Sequence, residues 1–526
     1  MLKQKLAFAI IRYIQLDITI CIIDITFIIY QFVRENQMKV SNKLVLALTG
    51  ALLAISAQAH ASGDYLSDFL QSDAPFKKEF DLGGHITSVQ FYGIVDIGYG
   101  YTDHSLPQNR DLPASFYPFL KQRAYYSSSQ SDWFAGGLSS SRAGIKADAS
   151  LFNLGDTNVK ALLNLESGFD PLNFKLYSGA KTLVENSGST TALKSISISN
   201  ESSLNGQFFN RAANAGLSFG EYGAVTFGLQ NNTFKDILSA YDPVNSDNFS
   251  ALGQSGTIGG SGGVSENVRL QNSLKYTNAI AVPSIPLEGA KVNTTAIYQW
   301  GNAVNLNYGY GYALQAGLES KVLGIQAGYN RFEDAVSATN SNTAGAITGS
   351  SYNTHAWLVS ARFNPVPALK ISGGWEQFTR SRSTDDLSHA YGDLWGYTLA
   401  PGIAQGLATP GETQQYNVYF LGAGYDFGDS FPQLAGLKIQ AGYYDYITGK
   451  AYNATGSVNT NSPQGRIGTW STVVDYKINK RFDIYAAATE SHFSGGAYLT
   501  TGTPTATNSV LNPEQLFVGT GLRFKF

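Results

Sequence analysis

The sequence has little cysteine, little charge and few histidines. Of its 526 residues, one is cysteine, six are histidine and 14% are charged, where an ordinary soluble protein carries about 25% charged residues. A single cysteine excludes a disulfide within the chain. The formal net charge of −3 argues against a nucleic-acid partner, because proteins that bind nucleic acid concentrate Lys and Arg.

Long apolar runs are also missing beyond the first 61 residues, so no transmembrane helix explains the rest of the chain. Any membrane role there must use strands. Near the front, Lys39 and Lys43 precede an apolar stretch from Leu44 to Ile55, and small residues follow as far as Ala61. This order is typical of a secretory signal peptide over residues 38–61, and it predicts export across the inner membrane.

Residues 1–37 precede that signal. Because a signal peptide normally begins a chain and Met38 is a natural start, we interpret residues 1–37 as a non-native N-terminal extension. The alternative is a membrane helix from Tyr13 to Tyr30, in which Asp17 and Asp24 would each cost about 2.5–3.5 kcal/mol near the centre. Removal of both segments would leave 465 residues with no cysteine and a formal charge of −6.

Glycine and aromatic residues are abundant, with 55 Gly, 31 Tyr and 30 Phe and no linker between them. Apolar and polar residues alternate with a period of two in many segments, which predicts strands. In the last segment one face carries Leu516, Val518, Thr520, Leu522, Phe524 and Phe526, the other carries Gln515, Gly519, Gly521, Arg523 and Lys525, and Phe517 is the exception. Charges on a dry sheet face would be costly, so this pattern favours a strand between lipid and a wet lumen.

The same alternation starts again at Asn158 and at Trp470, where Asn479-Lys480-Arg481 predicts a very short hairpin turn. Long polar stretches, typical of extracellular loops, cover residues 177–207, 232–266, 333–353, 381–412 and 494–512. About 16 strands of about 10 residues fit this alternation of short turns and long loops.

Aromatic residues near the predicted strand ends are candidates for the girdles that barrels place at the membrane interfaces. They are Tyr99, Tyr101, Trp300, Tyr308, Tyr310, Trp375, Tyr443, Tyr444, Tyr446 and Trp470. The strand propensity of Tyr and Trp explains each of them equally well.

Seven segments resemble, in order, those of a known family. They are VQFYGIVDIG at 89–98, SRAGIK at 141–146, LESGF at 165–169, NRAANAGL at 210–217, GAVTFG at 223–228, DYKINKRFDIY at 475–485 and VGTGLRFKF at 518–526. Each segment is a weak signal, but their order makes the resemblance specific. The chain is similar to the Gram-negative trimeric general porins of the type common in beta-proteobacteria, although residues 65–84 have no clear counterpart.

The resemblance implies an all-β fold, a transmembrane antiparallel up-and-down β-barrel of about 16 strands with long extracellular loops and an inward-folded constriction loop. We expect an N-terminal segment at 62–88 and the barrel at 89–526. The implied function is an outer-membrane porin for passive diffusion of ions and small hydrophilic solutes. Implied partners are two further copies in a homotrimer, the lipid bilayer, lipopolysaccharide and the barrel-assembly machinery, which would read the C-terminal Phe526; no cofactor is implied.

In this family an inward loop carries acidic residues that face a basic wall, and the matching loop would run from about residue 230 to 268. The implied acids are Asp236, Asp242, Asp247 and Glu266, and the implied basic wall is Arg142, Arg211 and Arg269. Opposed charges across a narrow aqueous pore orient polar solutes. Each Arg has the alternative role of a solvated lumen residue or a rim ion pair, and Asp242-Pro243 has that of a turn.

Rival functions find less support in the sequence. An outer-membrane enzyme needs a positioned nucleophile and base, and none of His85, His104, His355, His389 or His492 lies in a nucleophile motif. A transition-metal site is disfavoured because these histidines are far apart in sequence, although loop Asp and Asn residues suit Ca²⁺. A substrate-selective channel for a particular nutrient class remains the alternative function, and an aromatic ladder in the lumen would favour it.

Overall fold

The structure, a computed structural model, describes residues 72, 76–81, 86–105, 128–172, 174, 208–246, 248–252, 269–300, 310–340, 347–382, 414–447, 466–494 and 514–526. The chain divides into two units, residues 1–72 and 73–526, and the strands belong to the second. The predicted N-terminal extension and signal peptide lie outside the described residues.

The described strands form one antiparallel sheet that closes on itself. In chain order they are β1 (Lys77–Asp81), β2 (Ile86–Ser105), β3 (Ser128–Ala135), β4 (Arg142–Leu154), β5 (Thr157–Gly168), β6 (Ala212–Ser218), β7 (Ala224–Asn231), β8 (Arg269–Ala281), β9 (Lys291–Gln299), β10 (Gly311–Glu319), β11 (Leu323–Asn340), β12 (Ile347–Val366), β13 (Leu369–Arg382), β14 (Gln414–Asp426), β15 (Leu437–Ile447), β16 (Arg466–Lys477), β17 (Phe482–Ser494) and β18 (Glu514–Lys525).

Each strand from β4 to β18 pairs with the next, and β18 pairs with β2 to close the ring. β3 and β4 pair with successive parts of β2 and so share one position. β1 pairs with residues 86–90 of β2, whereas β18 pairs with residues 94–102 of the same strand. Within the described part of the chain the ring therefore has sixteen positions, which confirms the predicted barrel. Among these residues the helices are too short or too polar for any of them to span a bilayer.

The structure confirms the alternation of apolar and polar side chains that was predicted for β18 and β16. Val518 and Leu522 are exposed on the outer face, as are Trp470 and Tyr476 on β16. On the inner face, Arg523 binds Asp483 and Asp475 of the two preceding strands. The strands thus present apolar side chains to lipid and charges to the lumen.

Short turns join the strands at one end. Between β4 and β5, Gly155 has φ 61°, a left-handed conformation that a tight hairpin needs and glycine adopts without strain. In the predicted turn after β16, the Asn479 side chain accepts from the backbone N–H groups of Arg481 and Phe482. In outer-membrane barrels the short turns face the periplasm and the long connections face outward, so the resemblance implies that this is the periplasmic end.

Two predictions about local structure were wrong. Most of the polar stretch at 333–353 is strand, because β11 continues to Asn340 and β12 starts at Ile347, and residues 341–346 lie outside the described residues. Tyr444 and Tyr446 do not lie on the outer face: Tyr444 is buried and both pack with the interior cluster. The segment without a counterpart in the family contains β1, and the first barrel strand starts at Ile86, three residues before the predicted one.

Other aromatic residues do lie outward, and four Tyr–Trp pairs stand directly opposite each other on neighbouring strands. The pairs are Tyr99 with Trp133, Tyr329 with Trp357, Tyr419 with Trp375, and Tyr443 with Trp470. Cross-strand aromatic pairs stabilise sheets, and such rings prefer the lipid headgroup region.

Candidate functional site

A loop leaves the barrel wall after β7 and folds into the lumen as helix α1 (Thr233–Tyr241). Asn232 caps the helix, since its side chain accepts a hydrogen bond from the backbone N–H of Phe234. Phe234, Ile237 and Leu238 are buried on one side of α1. The helix is amphipathic because it covers an inner wall instead of crossing open water.

α1 packs against the inner faces of β9 to β13. The fit depends on a glycine: a Cβ on Gly328 of β11 would lie 2.9 Å from the Phe234 ring and 3.0 Å from Ile237. At the C-terminal end of the helix, Tyr241 hydrogen-bonds Glu319 and the Lys370 ammonium donates to the Ala240 carbonyl at 2.8 Å. A cation at a helix C-terminus is favourable for the helix dipole.

After the helix the loop crosses β14 and β15. The Tyr444 hydroxyl donates to the Asp242 carboxylate at 2.5 Å, and the Gln440 side chain donates to the carbonyls of Pro243 and Val244. Asp242 is buried there, and burial raises the pKa of its carboxyl. We call β9 to β15 the loop-covered wall.

The loop then reaches the closing seam of the barrel, where β18 pairs with β2. There a buried carboxylate orders the backbone that the loop contacts. Asp96 of β2 accepts hydrogen bonds from the backbone of residues 137–139 and from the Tyr485 hydroxyl. This holds the bend that separates β3 from β4. Ser246 donates to the Gly137 carbonyl at 2.7 Å, and Asn248 donates to the carbonyls of Gly137 and Ala135.

Phe249 fixes the same part of the loop by aromatic packing. Its ring stacks on Phe517 with centroids 4.9 Å apart and meets Phe134 and Tyr485 edge to face. Phe517, the exception in the alternation of β18, is therefore apolar and inward because the loop covers it. The inward loop is thus anchored at its root, along β9 to β15 and at the seam.

The remaining arc includes β4, β5 and β6, which stand across the ring from β12 to β14. We call these three strands the open wall. Glu166 of β5 lies at its centre, with the Arg211 Nε 2.6 Å from one carboxylate oxygen and the Arg142 Nε 3.5 Å from the other. Arg269 is close enough to act electrostatically on both Glu166 and Arg211. Two guanidinium groups therefore pair with one carboxylate, and a third acts on it electrostatically.

Two further side chains complete this cluster. The Tyr92 hydroxyl donates to Glu166 at 2.9 Å, and the Lys146 ammonium lies 4.7 Å from the centre of the Tyr92 ring. Arg211 is 7% exposed and Arg142 25% exposed, so Arg142 is the more accessible of the two. The local charge is positive, because the Arg residues and Lys146 outnumber Glu166.

Local sequence explains how Arg211 is placed. Asn210 accepts from the Gly168 backbone N–H at 2.7 Å and donates to the Gly168 carbonyl, while the Ser167 hydroxyl donates to the Phe208 carbonyl. These bonds dock the chain before β6 onto the end of β5. The side chain of Arg211 then meets Glu166, two residues earlier on the same strand as Gly168.

The three predicted basic residues come together, but the predicted acids do not face them as a group. Asp236 of α1 pairs with Lys275 of β8 at 2.5 Å, beside the root of the loop. Asp242 lies on the loop-covered wall, where its carboxylate fixes the loop. Asp247 and Glu266 lie outside the described residues.

The sequence reasoning missed the central acid and one basic partner. Glu166 and Lys275 both occupy inward positions of strands with clear alternation, and a charge at such a position was the available signal. Among the described residues, no group of three His, Cys, Asp or Glu side chains is placed to hold a metal ion.

A family model described as Gram-negative porin matches residues 46–496. No curated protein sequence matches the chain. Among solved structures, an anion-selective porin from Comamonas acidovorans aligns at 14% identity over 84% of this chain and 100% of its own, with a TM-score of 0.49.

Two other solved structures cover similar shares. OmpT of Vibrio cholerae aligns at 13% identity over 85% of this chain and 100% of its own, with a TM-score of 0.48. The outer membrane channel DcaP of Acinetobacter baumannii aligns at 12% identity over 84% and 97%, with a TM-score of 0.42. At these TM-scores the likenesses carry no argument about function.

Proposed function

We propose that this chain, which belongs to the Gram-negative porin family, passes small anions more readily than small cations. As a porin it forms a water-filled channel in the outer membrane, through which ions and small hydrophilic solutes diffuse passively. The observation that carries the anion preference is the cluster around Glu166 of the open wall, where Arg142 and Arg211 pair with the carboxylate and Arg269 of β8 acts on it electrostatically.

The preference follows from local charge. One carboxylate cannot neutralise three guanidinium groups, and Lys146 adds a fourth positive charge nearby. In a narrow aqueous passage with walls of low dielectric constant, such an excess raises the local anion concentration. The formal charge of the whole chain is −3, so selectivity by net charge would have the opposite sign.

The test is the reversal potential of the purified channel in a planar bilayer under a KCl gradient. The unaltered protein should prefer chloride, and Arg142→Ser should lower the chloride-to-potassium permeability ratio by about twofold or more. Lys321→Ser is the matched control, because Lys321 is an exposed cation paired with Glu288 at the periplasmic turns. A cation preference in the unaltered channel would refute the proposal.

A second variant moves the same quantity the other way. Glu166→Gln removes the negative charge from the cluster and should increase the chloride preference of the channels that insert. Because Arg142→Ser and Glu166→Gln have opposite expected signs, a general disturbance of the pore cannot imitate both. Equal shifts in one direction would count against the cluster as the source of selectivity.

Assembly and processing form a second part of the proposal. On the family resemblance we expect a homotrimer, removal of residues 38–61 as a signal peptide, contact with lipopolysaccharide and recognition of Phe526 by the barrel-assembly machinery. Phe526 supports the last point by its position at the seam, where its ring packs on Phe91 and Phe76. Light scattering of the detergent-solubilised protein tests the trimer, and N-terminal sequencing of the exported protein tests the cleavage.

A substrate-selective channel remains the second candidate, and one observation favours it. Tyr416 and Tyr446 are inward on β14 and β15 and partly exposed, and their rings lie nearly parallel with centroids 6.1 Å apart. The buried ring of Phe378 on β13 stacks behind Tyr416 at 4.7 Å. Aromatic rings inside a lumen suit sugar rings or planar solutes. Linear oligosaccharides should then block the ion current, and Tyr416→Ala should abolish the block while Tyr419→Ala, outward on the same strand, retains it.

A further inference from the structure

Three lysines lie at the short-turn end of the barrel, along one arc of its rim. Lys370 is the second residue of β13, Lys438 is the second residue of β15, and Lys477 is the last residue of β16. In the sheet, β14 separates β13 from β15, and β15 pairs directly with β16. We call Lys370, Lys438 and Lys477 the lysine row.

The side chains of the lysine row are on the lumen side of these strands. Lys477 is two residues after Asp475, which is buried on the inner face. Lys438 is two residues before Gln440, whose side chain binds the inward loop. Because side chains alternate between the two faces of a strand, both lysines share the inner face with these neighbours. The Lys370 ammonium reaches the C-terminal end of α1, which lies inside the barrel.

The members of the lysine row repel one another. Lys370 and Lys438 are close enough to act on each other electrostatically, and so are Lys438 and Lys477. Like charges at such separations lower the stability of the folded barrel unless a partner offsets them. A partner for the lysine row is therefore expected either within the chain or in solution.

Other cations at this end of the barrel have acidic partners in the chain. Arg362 of β12 lies 2.7 Å from Glu319, and Lys525 of β18 lies 2.6 Å from Asp483. The lysine row differs from them. Among the residues that the structure describes, none of its three members is in an ion pair, and Lys370 binds a neutral backbone carbonyl.

The acids near Lys438 are bound by other donors. Asp426 and Asp475 stand directly opposite Lys438 on the two neighbouring strands. Asp426 accepts a hydrogen bond from the Gly428 backbone N–H at 3.1 Å, and Asp475 pairs with Arg523 at 3.2 Å. These acids reduce the positive potential at Lys438 without forming an ion pair with it.

The acids near Lys370 are engaged in the same way. Asp242 and Glu319 act on Lys370 electrostatically, but Asp242 accepts from the Tyr444 hydroxyl and Glu319 pairs with Arg362. Lys370 and Lys438 are half-exposed and Lys477 is exposed. The lysine row therefore presents three ammonium groups that a solute in the lumen can reach.

We propose that the lysine row binds polyvalent oxyanions of the oligophosphate class, which enter the lumen from its short-turn end. An ammonium group is a compact point charge that binds phosphate oxygens without needing a planar fork. The lysine row covers four adjacent strands, or about 14 Å at the usual spacing of strands in a sheet. One small monovalent ion cannot contact all three ammonium groups, whereas a short chain of phosphates can.

Binding at the lysine row has a consequence for the ion current. Because Lys370 contacts the end of α1, a bound oligophosphate lies beside the part of the lumen that the loop narrows. It should therefore obstruct the passage of small ions. This proposal rests on the channel function of the barrel and not on the anion preference of the open wall.

The experiment records single channels of the purified protein in a planar bilayer at constant ionic strength. Inorganic triphosphate is added to one chamber and, after washing, to the other. The main variant is Lys438→Gln with Lys477→Gln, and Lys438→Arg with Lys477→Arg keeps the charge. Lys370 stays unaltered because it also holds α1. Lys321→Gln is the matched control, since Lys321 is an exposed cation at another short turn but pairs with Glu288.

We expect each unaltered channel to be blocked by triphosphate from one chamber at a concentration at least about fivefold lower than from the other. The double Gln variant should raise the lower half-blocking concentration about tenfold, while the double Arg variant and Lys321→Gln should keep it within about twofold. If the double Gln variant does not insert, Lys477→Gln alone, at an exposed position, should raise it about threefold.

Three results would overturn the proposal: equal block from both chambers, an unchanged half-blocking concentration in the inserted Gln variant, or the same loss of block in Lys321→Gln. Orthophosphate should block at least about fivefold more weakly than triphosphate, because it carries fewer charges. Equal block by the two anions would contradict the requirement for an extended polyvalent ligand.

Arg142→Ser separates the lysine row from the open wall. Block by triphosphate from the more sensitive chamber should persist in this variant, and a loss as large as in the double Gln variant would place the site on the open wall and overturn the proposal. Block without a chloride preference would support the lysine row and refute the anion preference. A chloride preference without block would refute the lysine row alone.

Discussion

The open wall and the loop-covered wall are built from the same alternating strands, yet their inward residues differ. On the open wall, inward positions carry charges that bind one another, as Glu166 does with Arg142 and Arg211. On the loop-covered wall many are apolar and fully buried, among them Leu358 and Phe378. One wall faces water and the other faces α1, so each inward side chain matches what lies in front of it.

Charges on the loop-covered wall do not all have such support: Glu319 of β10 pairs with Arg362 of β12, but one acid has no partner. Glu376 of β13 is fully buried, and neither of its carboxylate oxygens has a hydrogen-bond partner in the described structure. Asn330 of β11 is also buried, and neither its amide nitrogen nor its amide oxygen has a hydrogen-bond partner in the described structure. The contrast teaches that a lumenal charge is stable where water or an opposite charge reaches it, and is a liability where the loop excludes both.

The largest expected effect comes from detaching the loop from its seat. Phe249→Ala removes a ring that is fully buried among Phe517, Phe134 and Tyr485, and should destabilise the folded barrel by about 3–5 kcal/mol. Thermal unfolding in detergent measures this, and single-channel recordings should show added current noise. Phe152→Ala, on the lipid face of β4, is the control and should leave the current noise unchanged.

Next in size is the loss of the central acid of the open wall. Glu166→Met leaves Arg211 buried beside an apolar side chain and should lower the free energy of unfolding by about 3 kcal/mol. Chemical unfolding in micelles measures it. An unchanged unfolding midpoint would show that the Arg cluster is hydrated well enough to do without its acid, and the comparison between the walls would fail there.

A smaller loss is expected where the loop is tied by a hydrogen bond. Tyr444→Phe deletes the donor to the buried Asp242 carboxylate and should cost about 1.5–3 kcal/mol. The matched variant is Tyr419→Phe, whose hydroxyl lies on the lipid-facing side of β14. If both variants unfold at the same temperature, Tyr444 does not hold the loop.

The smallest effect has the opposite sign. Glu376→Met replaces an unpartnered buried carboxylate with an apolar side chain of similar length, and should stabilise the barrel by about 1–2 kcal/mol. The same substitution at Glu166 destabilises, so the pair of variants tests the difference between the walls directly. Destabilisation at Glu376 would mean that its carboxyl has a partner, such as bound water, that offsets its burial.

Sequence patterns predicted the barrel because the alternation and the turns are local. The faces of β18 and the short turn at Asn479 follow from side-chain period and turn chemistry alone. The polar stretch at 333–353 was assigned to a loop by composition, but Ser, Thr and Val there pair as β11 and β12. Composition does not distinguish a loop from a strand hairpin that extends beyond the membrane.

The functional site was predicted only in part, because its residues come from distant parts of the sequence. Arg142 lies on β4, Arg211 just before β6 and Arg269 on β8, and only the resemblance to porins could bring them together in advance. Glu166 escaped notice because nothing local shows that a strand residue will meet an Arg 45 positions later. Tyr444 was named as a girdle candidate, with strand propensity as an equal alternative, because sequence alone does not reveal that a loop will cover the inner face.

The pairing of β2 with β18 determines when the barrel closes during folding. It joins residues more than 400 positions apart, such as Thr102 and Phe517, whereas β4 and β5 meet across a two-residue turn. Closing so long a stretch of chain costs roughly 4 kcal/mol more in loop-closure entropy than closing a short hairpin. Hairpins therefore form early and the ring closes late. Until the ring closes, β2 and β18 each have an edge with unpaired backbone groups. The chain then avoids aggregation only if these edges are shielded from other chains.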